Sequence, residues 1–391
     1  MEFEFWWLIG FALFFGLGWL AARIDIKQLL SESRNLPRSY FRGLNFLLNE
    51  QPDKAIEAFI EVVKVDPQTV ELHFGLGSLF RRRGETERAI RMHKNLLERS
   101  DLGQEQRLHA MLELGQDYLK AGLLDRAEEV FLKLKSSPHR TEARKFLLEI
   151  YQQEKDWLKA IGIARELEKD LGQSSQKEIA NYYCELAMTE TTHSRPDEAK
   201  RHIEEALAAN RKCVRANIIL GDLAVAAGDQ AGAIEAWKRI EQQNPTYLAL
   251  VAQRLLESHR ALGRTGEGLT LLRGYLASFP SLDLLDVAFQ STLGEEGAEA
   301  AYKLVKDELR RNQTLLGLDK LLEAQILVAP VERRHDLELV RNLVHSHTQR
   351  LARYRCENCG FKARQFYWHC PACGGWETYP PKRSEEFDMA P

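Results

Sequence analysis

The sequence has no marked excess of either charge. Its 391 residues carry 54 Lys and Arg against 57 Asp and Glu, so bulk composition gives no general attraction to nucleic acid. Also missing are the short motifs of nucleotide-binding and hydrolytic enzymes: there is no glycine-rich phosphate loop, no H-E-x-x-H and no nucleophile elbow. Adjacent acids such as Glu128-Glu129 and Glu295-Glu296 fit solvated helix faces or turns better than catalytic pairs. No catalytic residue is assigned, and the chain reads as a non-enzyme. Strand-like alternation is scarce, which with a charged fraction of 28% suits a largely helical surface. The 11 histidines are scattered, and His345 and His347, two apart on a predicted helix, point to different sides. Cysteine is sparse. Of six, Cys184 and Cys213 lie in apolar stretches and read as small core residues.

What is present begins with an uncharged apolar run of 18 residues, Phe5 to Ala22. As a helix it spans about 27 Å, close to the hydrocarbon thickness of a bilayer. Trp6, Trp7 and Trp19 lie near its ends, where indoles favour the headgroups. Glu2 and Glu4 precede the run and no Lys or Arg does, which favours an uncleaved transmembrane anchor over residues 1–22 rather than a signal peptide. Arg23, Lys27, Arg34 and Arg38 follow it. The positive-inside rule then leaves the bulk of the chain in the cytoplasm, beyond a short tether over 23–38.

From residue 39 the sequence repeats. Gly43 and Ala55 recur as Gly77 and Ala89, displaced by 34 residues, and as Gly115 and Ala127, displaced by 38. The second step implies a four-residue insertion near Leu102–Gln106. Phe59 and Phe131 follow their alanines by four. Later units run through Tyr151 and Ala160, Ala187 and Ala199, then Gly221, Ala233 and Trp237, and last Leu255, His259 and Gly268, ending near Pro280. This is the tetratricopeptide pattern of helix–turn–helix units. Small residues mark where the two helices of a unit approach, and bulky ones fill the space beside them. Segments Leu284–Phe289, Ala298–Leu309, Leu315–Leu327 and Asp336–Arg350 read as divergent or capping helices. The expected fold class is mostly α, an α-solenoid of about seven repeats over 39–349. Its concave surface suits peptides or other proteins.

The strongest chemical signal is C-terminal. Cys356 and Cys359, then Cys370 and Cys373, form two C-x-x-C knuckles, each followed by a glycine (Gly360 and Gly374). Two thiolates from each turn meet the needs of a tetrahedral metal, and the glycines permit the positive φ that folds each turn under its sulfurs. These four cysteines are the expected ligands of one metal ion in a small module over 350–391. His369 is a neighbour rather than a fifth ligand. Trp368 and Trp376 are expected to supply the core of so short a module. The flanking Arg350, Arg353, Arg355, Lys362 and Arg364 leave a nucleic-acid-binding ribbon as an alternative. The form Cys-x-x-Cys-Gly-Phe with Cys-Pro-x-Cys-Gly resembles rubredoxin. That suggests iron, with zinc the alternative, and leaves a membrane-tethered electron carrier as a rival function. The path from the last helix near Arg350 to Cys356 is very short, so the module is expected to dock on the last helices.

The order of anchor, repeats and terminal knuckle pair resembles the lipopolysaccharide assembly protein B family over essentially the whole chain. Tyr40–Leu48, Gly75–Arg91 and Tyr354–Cys373 carry most of the likeness. The resemblance implies a non-catalytic adaptor on the cytoplasmic face of the bacterial inner membrane that regulates lipopolysaccharide biosynthesis. Its implied partners are a membrane-bound AAA+ metalloprotease, the UDP-3-O-acyl-N-acetylglucosamine deacetylase presented to it, and an inner-membrane lipopolysaccharide sensor. The family's metal ligands fall on Cys356, Cys359, Cys370 and Cys373. Whether the chain forms a homodimer is left open.

Overall fold

The computed structural model describes residues 38–65 and 70–387, together with Phe15, Gly18 and Trp19. The remainder of the expected anchor, and the tether as far as residue 37, lie outside those residues. Among the described residues no helix is long and apolar enough to cross a membrane. The chain divides at Glu154/Lys155 into two compact units. The first contains α1 (Arg38–Leu48), α2 (Pro52–Val65), α3 (Val70–Arg83), α4 (Thr86–Glu98), α5 (Gln104–Lys120), α6 (Leu124–Lys133) and α7 (Arg140–Gln153). The second opens with α8 (Trp157–Leu171), α9 (Gln176–Thr192), α10 (Pro196–Ala209), α11 (Val214–Ala226) and α12 (Gln230–Gln243). A 3-10 turn, Pro245–Leu250, leads into α13 (Ala252–Ala261), α14 (Thr265–Ser278), α15 (Leu282–Glu296), α16 (Ala298–Arg311), α17 (Leu315–Val328) and α18 (Val331–Thr348). The chain then forms a two-stranded antiparallel ribbon, β1 (Tyr354–Arg355) with β2 (Lys362–Ala363), and a final turn of helix, α19 (Ser384–Phe387).

The repeat has a backbone signature at the turn between its paired helices. Glu50, Gly84, Gly122, Lys155, Ser194, Gly228 and Gly263 all have positive φ. In six of these turns the next residue donates its N–H back to a carbonyl five residues earlier, as Glu85 does to Phe80 and Leu123 to Tyr118 (both 2.9 Å). This Schellman closure satisfies the orphan carbonyls of the first helix and reverses the chain. A left-handed residue is nearly free for glycine but costs others about 1 kcal/mol, so Glu50, Lys155 and Ser194 hold their turns at some expense.

The close approach inside each hairpin is visible in the packing. At Gly43, Gly77, Gly115 and Gly221 an added Cβ would come closer than 3.0 Å to a ring sixteen residues on: Phe59, His93, Phe131 and Trp237. Ala55, Ala89, Ala127 and Ala233 are fully buried at the matching place on the partner helix. In the second unit one continuous core runs from Val214 through Trp237, Tyr247 and Leu276 to Phe289 and Ala324, with Phe366 and Trp368 of the terminal segment packed against it. The expected capping helices are present and longer than their apolar segments indicated; Leu284–Phe289 lies inside the 15-residue α15.

Candidate metal centre and its docking surface

The two knuckles are built alike. Cys356 N–H donates to Phe361 O and Cys370 N–H to Gly375 O, both at 2.9 Å. Gly360 N–H returns to Cys356 O at 3.0 Å and Gly374 N–H to Cys370 O at 2.9 Å. Gly360 (φ 75°) and Gly374 (φ 67°) occupy the left-handed region that such a turn requires. The result brings all four sulfurs within 4.8 Å of one another, Cys356 to Cys373 at 3.8 Å and Cys359 to Cys370 at 3.7 Å. Metal–sulfur bonds of about 2.3 Å give a tetrahedron with edges of about 3.8 Å, so the donor set fits a zinc or iron ion. Asn358 Nδ2 lies 3.4 Å from Cys373 Sγ and Thr378 Oγ1 3.4 Å from Cys356 Sγ. The Asn358 amide and the Gly375 N–H hold the Cys373 thiol down at about 6, whereas burial raises the Cys370 thiol and, against the Phe361 N–H, the other sulfurs push Cys359 up to about 12. Cys356 and Cys370 are buried, while Cys359 and Cys373 are exposed. His369 stands apart: its Nε2 lies 2.9 Å from Gly374 O and its ring stacks on Trp376 at 4.5 Å.

The module's own core is small: Tyr354, Cys356, Cys370 and Tyr379, edged by Ala363, Phe366 and Tyr367. Trp368 and Trp376, expected to complete that core, instead leave the module and enter the helices. Trp376 meets Tyr182 and Trp157 edge-on, at 5.7 and 6.1 Å. Trp368 stacks on Tyr247 at 5.2 Å. The buried Arg215 guanidinium lies 5.7 Å from both indoles, within cation–π range, and pairs with Glu185 at 2.7 Å. Asn181 Nδ2 donates to Glu377 Oε1 at 2.8 Å.

A second set of contacts ties the module to the later helices. Asp283, in the first turn of α15, accepts from Tyr354 Oη at 2.5 Å and from Arg383 Nε at 2.8 Å. Arg383 also lies 4.1 Å over the Tyr354 ring. Glu386 accepts from Leu282 N–H at 3.0 Å, and Glu385 from Leu315 and Leu316 N–H. Two side chains of α19 thus cap the N-termini of α15 and α17, giving acceptors to N–H groups that have no partner within their own helices. The module therefore docks on the later helices α15 and α17 and also reaches back to α8, α9 and α11.

The other singled-out residues behave as structure. Cys184 and Cys213 are buried free thiols 3.8 Å apart. Glu129 pairs with Lys133, and Glu295 and Glu296 with Arg260 and Arg273. Sequence reading missed a charged cluster in the first unit. His93 fills the slot that Phe59 and Phe131 fill in neighbouring repeats, and its Nδ1 meets Asp117 Oδ2 at 2.5 Å. Arg81 bridges Asp117 and Glu113, both at 2.7 Å. The only signal was a histidine four residues after Ala89.

Family profiles match both parts of this architecture. The family profile described as "Rubredoxin metal binding domain" matches residues 354–381, and that described as "Tetratricopeptide repeat" matches 42–92 and 184–247. Lipopolysaccharide assembly protein B of Escherichia coli strain K12 is 37% identical over 370 residues, covering 94% of this chain and 95% of its own. The protein of the same name from Haemophilus influenzae is 31% identical over 382 residues, covering 94% and 96%. A tetratricopeptide repeat protein from Parabacteroides merdae aligns with 78% of this chain and 100% of its own, at 14% identity and a TM-score of 0.33.

Proposed function

The chain belongs to the lipopolysaccharide assembly protein B family, and from that premise we propose that it is a non-catalytic adaptor regulating lipopolysaccharide biosynthesis at the bacterial inner membrane. In this reading residues 1–22 anchor the chain and 23–38 tether it, leaving the repeats over 39–349 and the module over 350–391 in the cytoplasm. The anchor raises the local concentration of membrane partners. The repeats hold the lipid A-committing deacetylase and present it to a membrane-bound AAA+ protease, under the restraint of an inner-membrane lipopolysaccharide sensor. Cys356, Cys359, Cys370 and Cys373 hold one ion, iron or zinc. When bound, it cross-links the two knuckles and contributes folding free energy to a module too small to fold well alone.

One observation carries the architectural reading of the metal site. The second knuckle lies between two indoles that insert into different repeats, Trp368 at Tyr247 and Trp376 at Tyr182 and Trp157. The module can thereby fix the relative placement of the helices it touches within the second unit. Crosslinked capture from native membranes tests the proposal. Recovery of deacetylase and protease with the wild-type chain, and their loss with Cys356→Ser plus Cys359→Ser, is expected. Recovery of redox partners in their place, with reversible one-electron chemistry of a red iron protein, would instead establish the electron-carrier reading.

A further inference from the structure

Helix α18 presents its apolar residues to solvent. Its inner side is polar: Arg341 reaches Glu323 at 2.9 Å and Asp319 at 3.6 Å, and His345 Nδ1 meets Asp319 Oδ2 at 2.8 Å. These contacts fix the rotation of the helix, and only Thr348 of its 18 residues is buried. Leu339 and Leu343 are left 63% and 60% exposed, with Val340 at 44%. The outer face of a terminal solenoid helix is ordinarily polar, so a contiguous apolar stripe there marks an interaction surface.

The flanks of the stripe indicate what covers it. At about 100° per residue, Glu332, Asp336, Leu339, Leu343 and His347 share one face of α18, and Arg350 follows in the turn just beyond Thr348. All six are exposed. Read along the helix, that face runs acid, apolar, base, and such an order is complementary to its own reverse. Two copies laid antiparallel about an axis at Arg341 place Leu339 against Leu343 and Glu332 against Arg350, with Asp336 beside Ser346 and His347. Glu332 and Arg350 make no ion pair among the described residues, so both are available for that crossing.

We infer that this stripe is a homodimer interface, in which α18 pairs antiparallel with α18 of a second copy. Leu339, Val340 and Leu343 form the seam, and a Glu332–Arg350 pair closes each end. The arrangement is isologous, every contact occurring twice about the two-fold axis. An anionic membrane surface fits less well, because Glu332 and Asp336 would face it. The inference does not depend on the proposed adaptor role.

Sedimentation equilibrium of the full chain in density-matched detergent tests it. Glu332→Arg and Arg350→Glu should each weaken dimerisation about tenfold, since each replaces two attractive crossings with two repulsive ones. The double exchange should restore it to within about threefold of wild type. Leu339→Glu with Leu343→Glu should abolish it, with unchanged circular dichroism because these positions are exposed. A monomeric wild-type chain would overturn the inference, as would single exchanges without effect or a double exchange without rescue. Leucine substitutions that cut binding to phosphatidylglycerol vesicles yet spare the dimer would overturn it in favour of a membrane-facing stripe.

Discussion

Replacing Asp283 with alanine tests the docking of the metal module without altering any residue of the module. The Asp283 carboxylate receives Tyr354 Oη at 2.5 Å and Arg383 Nε at 2.8 Å, with Asp283 and Arg383 side chains 21% and 23% exposed. A hydrogen bond to a charged group contributes about 1.5–3 kcal/mol, and an acid in the first turn of α15 adds about 0.3–1 kcal/mol against the helix dipole. The contributions do not add fully, because Arg383 keeps Ala352 O as an acceptor and the Tyr354 ring beneath it. A net loss of about 3 kcal/mol, roughly a hundredfold in the docking equilibrium, is therefore expected. Hydrogen exchange in the metal-loaded protein reads it directly. Amides of Tyr354–Arg355 and of the segment around Ser384 should lose about two decades of protection, while those of the first unit stay unchanged. Protection altered by less than about threefold would mean that the module is merely tethered to the helices, and the architectural reading of the metal site would fail with it.

The remaining expectations concern packing, metal and proton. Gly115→Ala drives a methyl into the Phe131 ring and should destabilise the first unit by about 1–3 kcal/mol in denaturant titration; an unchanged midpoint would contradict the close helix approach. His93→Phe fits the aromatic slot yet leaves buried Asp117 with Arg81 as its remaining ion-pair partner, so a loss of about 1–3 kcal/mol is expected, and a gain would show the cluster to be dispensable. Chelation of the metal should red-shift tryptophan emission as Trp368 and Trp376 leave their sites; constant emission in a fully demetallated protein would separate metal from docking. Burial pushes the Glu386 carboxyl up despite the Arg383 and Leu282 N–H groups. A raised folded value stabilises below the unfolded pKa and is lost as pH rises through the folded one. Glu386→Gln should therefore tighten docking at pH 7, with the advantage shrinking as pH falls through the raised folded value towards the ordinary carboxylate range, and a constant advantage would refute the assignment.

The repeats were legible because their spacing is local. Gly84, Gly122, Gly228 and Gly263 announce left-handed turns by residue type. Glu50, Lys155 and Ser194 hold the same backbone conformation without a residue that prefers it, so those turns could be placed only by register. His93 was invisible for a related reason. Its slot calls for a ring, and the polar demand arises from Asp117 in the following repeat. The cysteine knuckles were legible down to their glycines, since each is closed by hydrogen bonds within six residues. What the module touches was not. Asn181 and Glu377 are 196 residues apart in sequence, and a count of aromatics does not say which of them turn inward.

That misreading of Trp368 and Trp376 bears on why a structural metal is placed here. The two indoles flank the second knuckle, and each enters a separate site on the helices. While the knuckle is closed, seating one indole holds the other close to its site, and the second contact forms at high effective concentration. An opened knuckle leaves two independent aromatic anchors on a flexible segment, and each must bear its own ordering entropy. Arg215 then has most to lose. It is buried, and its guanidinium lies against both rings at once, so departure of either leaves a charge with less than its designed company. Metal loss and Arg215→Ala should therefore act on the same equilibrium. Their effects on hydrogen exchange in α9 and α11 should combine to much less than their sum, and full additivity would mean that knuckle and helices are not coupled through the two tryptophans.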